Sequence, residues 1–298
     1  MVREESDAFM IKDPWEDICR EAGLGEPFPY VSNPIPKELI ARYAPRHEPR
    51  LVIPIYSMES METRFPFLFS HHLTPLRVDN GTAVLTRAEL FQTLQPIRSK
   101  TEFLNHIDAH DSYVYLSDVQ TEAKFLALAL NCNVLHTAFG LDRKSHLSLG
   151  LFGKMNLPER DVYISNPEKN SNLVPVHLSN VQFDLDFSVE DKDTVYLIEA
   201  KRGKPKAKSF CILQLFYPYA LMHELRKRGR KEKRDKKIRC FFVNIEAKED
   251  YLITYEFHEY SFAAPLVVNS ARYERGVVIQ LQIGEYENAR LEQTINPS

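Results

Sequence analysis

The stretch VQFDLDFSVEDKDTVYLIEAK, residues 181–201, constrains the fold more than any other part of this chain. Its first seven residues alternate, with Val181, Phe183, Leu185 and Phe187 apolar and Gln182, Asp184 and Asp186 polar. Side chains on a strand point to opposite faces in turn, so this pattern predicts a half-buried strand. The last seven, VYLIEAK, are apolar until Glu199 and Lys201, which predicts a strand buried on both faces that ends in charge. The polar SVEDKDT between them predicts a turn. A period of two puts Glu199 and Lys201 on one face, and antiparallel pairing brings Asp186 or Asp184 to that face as well. Which aspartate arrives there depends on register, because a slip of one residue turns both away from Glu199.

Two carboxylates and an amine at one edge of a sheet suit phosphodiester hydrolysis. Hard carboxylate oxygens hold Mg²⁺, which polarises a phosphoryl oxygen and lowers the pKa of water. A neighbouring lysine orients the water or stabilises charge on the phosphate. An Asp, a spacer of about a dozen residues and a Glu-x-Lys ending an apolar strand resembles the PD-(D/E)XK nuclease superfamily. The resemblance implies that Asp186, with Asp184 in reserve, and Glu199 bind the metal, and that Lys201 assists the attacking water. The proline common before the family's first Asp is absent here.

The flanking elements extend the resemblance. SDVQTEAKFLALALN, capped by Ser117 or Asp118, reads as a helix with an apolar stripe of Val119, Ala123, Leu126 and Leu130. HLSLGLFGKM reads as a strand, and the Asn- and Pro-rich NLPERDVYISNPEKNSNLVPVHLSN as a loop. After Lys201, Phe210, Leu213, Tyr217, Ala220 and Leu221 have helical spacing, with Pro218 expected to kink or divide the helix. IRCFFVNIE reads as a further strand. The predicted order helix, strand, strand, strand, helix, strand matches the αβββαβ core of the superfamily, here expected over about residues 116–250 with a mixed sheet. Some of its families carry an acid in the first core helix and a Gln in the second. Glu122 and Gln214 stand at those places, and each also has a plainer reading, as an exposed helical acid and a hydrogen-bonded core amide.

The region before residue 115 reads as mixed helix and strand. DPWEDICREAGL, ELIARYA, TRAELFQTLQPI and SKTEFLNHIDAHD have helical character, and Asp79-Asn80-Gly81 signals a hairpin turn. Small helices with a hairpin suggest a winged-helix-like DNA-recognition region over 1–115, preceding a catalytic domain over 116–298. The tail pieces YLITYEFHEY, PLVVNSARYE and VVIQLQI read as strands that extend the sheet or form a dimer surface.

Composition narrows the setting. The net charge of −3 hides an asymmetry: residues 201–239 hold fifteen Lys and Arg against three Asp and Glu, a net of +12, so the remainder carries −15. A basic stretch beside the acidic strand end suits phosphate, with Lys204, Lys206 and Lys208 nearest. The run RKRGRKEKRDKKIR is the densest part, and is equally a solvated helix end. The four cysteines are scattered without a CxxC pair, so neither a zinc site nor a disulfide framework is indicated. No apolar run reaches the roughly 18–20 residues needed to span a membrane. A cytoplasmic location is expected.

An α/β protein with Mg²⁺-dependent endonuclease activity on double-stranded DNA is therefore expected, most like a type II restriction endonuclease, and by resemblance a homodimer. The rivals are a structure-specific repair or recombination nuclease of the same fold, a non-catalytic nucleic-acid-binding protein, and a module whose basic run docks an acidic protein.

Overall fold

The computed structural model describes residues 13–43, 60–79, 81–106, 121–170, 172–203, 206–228, 235–248 and 252–283. The chain opens with helices α1 (Trp15–Glu21), α2 (Lys37–Tyr43) and α3 (Pro66–Ser70). Strands β1 (Thr74–Arg77), β2 (Ala83–Thr86), β3 (Phe91–Thr93) and β4 (Glu102–His106) follow, then helices α4 (Glu122–Asn131) and α5 (Val134–Phe139). Next come β5 (Ser148–Leu149), β6 (Gly153–Leu157), β7 (Arg160–Asn166), β8 (Asn172–Leu178), β9 (Val181–Leu185), β10 (Phe187–Glu190), β11 (Thr194–Arg202) and β12 (Ser209–Cys211). Helix α6 (Leu213–Arg228) and strands β13 (Lys237–Ala247), β14 (Leu252–Phe262) and β15 (Ala271–Ile283) come after them.

A mixed seven-stranded sheet in the order β4-β15-β14-β13-β11-β10-β5 is the frame. Strands β10 and β11 form the expected antiparallel pair, with Phe187 opposite Ile198. Strand β11 runs parallel to β13, and α6 is the crossover between them. Val195 and Leu197 of β11 share a core with Leu213, Phe216 and Leu221 of α6. Tyr196, Ile198 and Ala200 share a second core with Phe125, Leu126, Leu135 and Phe139 of α4 and α5. Covering on both faces explains why β11 is an unbroken apolar run. Strands β14 and β15 extend the sheet, as one reading of the tail expected, although PLVV is not a strand and ARYE and VVIQLQI belong to the single strand β15. The chain is thus a mixed α/β fold.

Several local expectations are corrected. HLSLGLFGKM is two strands, β5 in the main sheet and β6 paired with β9. The break lies at Gly150, whose N–H donates to the Ser188 carbonyl at 2.9 Å and where a Cβ would come 2.4 Å from the Ser188 hydroxyl. VQFDLDF also divides, at Asp186, where the chain passes from the small β6-β9 sheet into the main one. The strand after it runs on to Glu190, so the turn is only residues 191–193, closed by Asp191 Oδ1 accepting from the Asp193 and Thr194 N–H groups at 2.7 Å. The segment read as a loop is the β7-β8 hairpin. Val162 and Ile164 are buried there by simple alternation, while the Asn-Pro signal belongs to the short connection, where Asn170 adopts a φ of 52°.

TRAELFQTLQPI and SKTEFLNHIDAHD were expected as helices, yet contain β3, which pairs with β12, and β4, which pairs in parallel with β15. Each apolar stretch is too short for its pattern to separate helix from strand, and distant partner strands decide the matter. Helix α4 is capped by Thr121, whose hydroxyl accepts from the Lys124 N–H, while Ser117, Asp118 and Val119 lie outside the described residues. Helix α6 begins at Leu213, not at Phe210, and runs unbroken through Pro218, which removes the N–H that would meet the Gln214 carbonyl.

The described residues before 115 include three short α-helices, a 3-10 turn at Met61–Thr63, the β1-β2 hairpin and strands β3 and β4, and Trp15, Ile18 and Ile40 share the core of α6. The boundary expected near residue 115 lies outside the described residues. No helix among the described residues is long and apolar enough to cross a membrane.

Candidate active site

The face of β11 that meets α6 carries Val195 and Leu197, and the period of two continues it to Glu199 and Lys201. Glu199 is only 5% exposed, and the first turn of α6 meets it there: Gln214 Nε2 donates to Glu199 Oε1 at 2.8 Å. Lys201 Nζ stands 3.5 Å from the same oxygen. A buried carboxylate without such partners would carry a large desolvation cost.

Asp186 comes to this cluster because it sits at the corner between two sheets. Phe187 pairs with Ile198, so the residue before it falls beside Glu199. Asp186 Oδ2 accepts the Ala200 N–H at 2.8 Å, and its carboxyl meets Glu199 in a side-chain hydrogen bond. Burial pushes the Asp186 carboxyl above its ordinary value, and the charge of Glu122 adds to the shift, against the Ala200 N–H and the Lys201 charge. Glu122, half-buried in the first turn of α4, is therefore within electrostatic reach of Asp186. Two carboxyls in contact cannot both be ionised without a proton or a cation between them. One amide atom in the cluster, Gln214 Oε1, is buried without a hydrogen-bond partner.

Asp184 is elsewhere. It is exposed on β9 with Lys154 of β6 as its cross-strand neighbour. Among the basic residues, Lys204 lies outside the described residues. Lys206 does not point freely to solvent: its Nζ donates to Glu256 at 2.6 Å and pairs with Glu246 at 3.4 Å. Burial works to lower its pKa, but the Glu256 hydrogen bond and both charges hold it above the ordinary value. Lys208 is exposed. Within the dense basic run, Lys236 donates to Glu190 at 3.0 Å and Arg239 is locked to Glu259, so internal acids occupy both. Tyr217, a turn after Gln214, is turned from the cluster and donates to the Arg77 carbonyl at 2.9 Å. The Ala200 N–H is a site group that residue types cannot signal, since every non-proline backbone offers one. Among the described residues, no set of three or more His, Cys, Asp or Glu side chains is arranged around a common ion position.

Fold and side chains together define a mixed α/β protein whose central hairpin brings the buried Glu199 carboxyl together with the half-buried Asp186 carboxyl, with a lysine and a glutamine against Glu199. The chain belongs to the family described as a domain of unknown function, DUF6997, whose sequence model matches residues 86–275. That span takes in Glu122, Asp186, Glu199, Lys201 and Gln214. No curated protein and no solved structure matches the chain.

Proposed function

We propose that this chain is a metal-dependent endonuclease that hydrolyses DNA phosphodiester bonds. The observation that carries the reading is the contact between Asp186 and Glu199 on neighbouring strands, with Lys201 3.5 Å from Glu199. The order of α4, β10, β11, α6 and β13 around them supports a PD-(D/E)XK-like core.

The residues fit Mg²⁺. The ion is commonly held by one or two carboxylates and keeps several waters, so a set of two suffices. A dication would take the place of the proton that the Asp186–Glu199 hydrogen bond requires, and the unpartnered Gln214 Oε1 offers an acceptor to a water hydrogen. When bound, Mg²⁺ supplies polarisation of a phosphoryl oxygen and a more acidic water. The chain's own groups do the rest. Ala200 N–H and Gln214 Nε2 hold the two carboxyls in place. Lys201 Nζ orients the attacking water, or donates to a phosphoryl oxygen as negative charge grows there. Glu122 adds negative charge on the α4 side.

Within this class we read the chain as a sequence-specific enzyme of the type II restriction kind, acting as a homodimer on double-stranded DNA in the cytoplasm; this finer step rests on the resemblance alone. The test is incubation of the protein with plasmid and phage DNA in Mg²⁺, beside Lys201→Ala and EDTA controls. Discrete fragments that vanish in both controls are expected. A smear, or cutting confined to branched DNA, replaces the restriction reading with a repair nuclease. Intact DNA across many sequences and divalent metals overturns the enzyme.

A further inference from the structure

A cleft of about 180 Å³ opens beside Lys201, lined by Ser60, Thr63, Arg202 and Ser209 and floored by Phe210 stacked on Phe242 at 4.3 Å. Its size is well above the roughly 10–15 Å³ that one water needs. Among the described residues lining it none is acidic, whereas the clefts on the β5 side of the sheet contain Glu190, Asp191 and Asp193. The Arg202 guanidinium turns to the other face of the strand, 5.1 Å from the Phe125 ring centre, so Lys201 and the Ser60 and Ser209 hydroxyls supply the polar lining, and a cation with hydroxyls and no acid is the chemistry of an anion site. The wall over it is fixed: Met61 N–H donates to Ser209 Oγ at 2.8 Å, and Thr63 Oγ1 donates to the Ser60 carbonyl at 2.9 Å. Ser60 and Thr63 lie before residue 86, outside the family match.

We propose that this cleft holds a backbone phosphate of the DNA adjacent to the one cleaved, with the sugar against Phe210. Lys201 faces both the carboxyls and the cleft, so a chain crossing it presents consecutive phosphates to the two. The proposal rests on the nuclease reading for the word "adjacent"; phosphate binding itself does not depend on it. Residues 60–63 then contribute directly to substrate positioning.

The test compares wild type with Ser60→Asp and Ser60→Ala. Amide resonances are followed during titration with inorganic phosphate and with deoxythymidine 5′-monophosphate, and a labelled duplex is bound in EDTA. The monophosphate is expected to shift Ser60, Thr63 and Arg202. Ser60→Asp should weaken duplex binding about tenfold or more, because it sets a like charge against the phosphate. Where cleavage is seen, KM should rise with kcat within about twofold, a signature of lost positioning contacts rather than lost chemistry. A Ser60→Asp protein that binds duplex as wild type does overturns the proposal. So does inorganic phosphate binding the cleft as tightly as the monophosphate, which assigns it to a free anion. Monophosphate binding lost in Ser60→Asp, with no cleavage of any DNA, keeps the cleft and removes the nuclease. Cleavage with unchanged KM does the reverse. Should Ser60→Asp fail to fold by circular dichroism, Ser60→Ala decides, with a two- to fivefold loss of duplex affinity supporting the site and none overturning it.

Discussion

Arg239 closes the basic run that sequence alone offers to DNA, and its contacts predict a structural role instead. Its Nε and Nη2 donate to the two oxygens of Glu259 at 2.6 and 2.7 Å, and its Nη1 to the Phe139 carbonyl at 3.1 Å. The guanidinium also lies 5.4 Å from the Tyr196 ring centre and 5.2 Å from that of Phe241. The pair is mostly buried, with side-chain exposures of 23% and 12%. Arg239→Met keeps the aliphatic stem and removes every polar contact. Removing one partner of a buried pair costs about 3–5 kcal/mol. Glu259 retains Arg275 at 2.8 Å, so we expect a smaller loss, about 2–3 kcal/mol. At ~2–4 °C per kcal/mol for a chain of this size, Tm falls by about 4–12 °C.

The loss should depend on pH. Burial acts to raise the Glu259 carboxyl, but the hydrogen bonds and charges of Arg239 and Arg275 hold it below its ordinary 4.5. A lowered acid contributes stability that is present above the unfolded-state value and lost as pH falls through the folded-state value. The deficit of Arg239→Met is therefore full at neutral pH and shrinks below 4.5. Urea titrations at several pH values measure it. A neutral-pH deficit under about 0.5 kcal/mol, the range of an ordinary surface change, refutes the reasoning. A deficit undiminished in acid does so too. If the chain binds DNA, the variant's log–log salt slope should equal that of wild type, and a slope smaller by about one contact would return Arg239 to the DNA interface.

Asp186→Asn keeps an acceptor for the Ala200 N–H and removes a carboxyl that burial and Glu122 hold above 3.8. A raised acid penalises the ionised fold increasingly as pH climbs from 3.8 through the folded-state value, so at pH 7 in EDTA the variant should be about 0.5–2 kcal/mol more stable. It should also lose any Mg²⁺-induced rise in Tm, and a rise equal to that of wild type would remove Asp186 from the metal site. Gly150→Ala should cost about 1–3 kcal/mol in chemical denaturation, because Ser188 Oγ, 2.4 Å from the new methyl, is committed to the Leu151 carbonyl at 2.6 Å. A neutral result would mean that this edge of the sheet yields easily. Tyr217→Phe strips the donor from the Arg77 carbonyl and should cost about 1–3 kcal/mol in the same assay, with a much smaller value showing that β1 does not depend on α6.

Glu199, Lys201 and the strand beneath them were legible because period-two alternation is a local property, and so was the antiparallel partner that brings an aspartate to them. Spacing alone left Asp186 and Asp184 open as the neighbour of Glu199, and only the resemblance preferred Asp186. The choice follows from the chain changing sheets at Asp186, and that change depends on β6, about thirty residues earlier, pairing with β9. The helical readings near residues 86–110 failed for a related reason: β3 and β4 owe their form to β12 and β15, which lie more than a hundred residues away.

By itself the sequence determined the central hairpin, the presence of a helix after it and the residue types at the strand end, since each rests on spacing within a few residues. Only the tertiary structure decided which charges are free. Lys206 and Arg239 look like phosphate ligands in a string of letters, but Glu256 and Glu259 of β14 reach them across the sheet. Charge pairing depends on distance in space, and no local pattern along the chain records it.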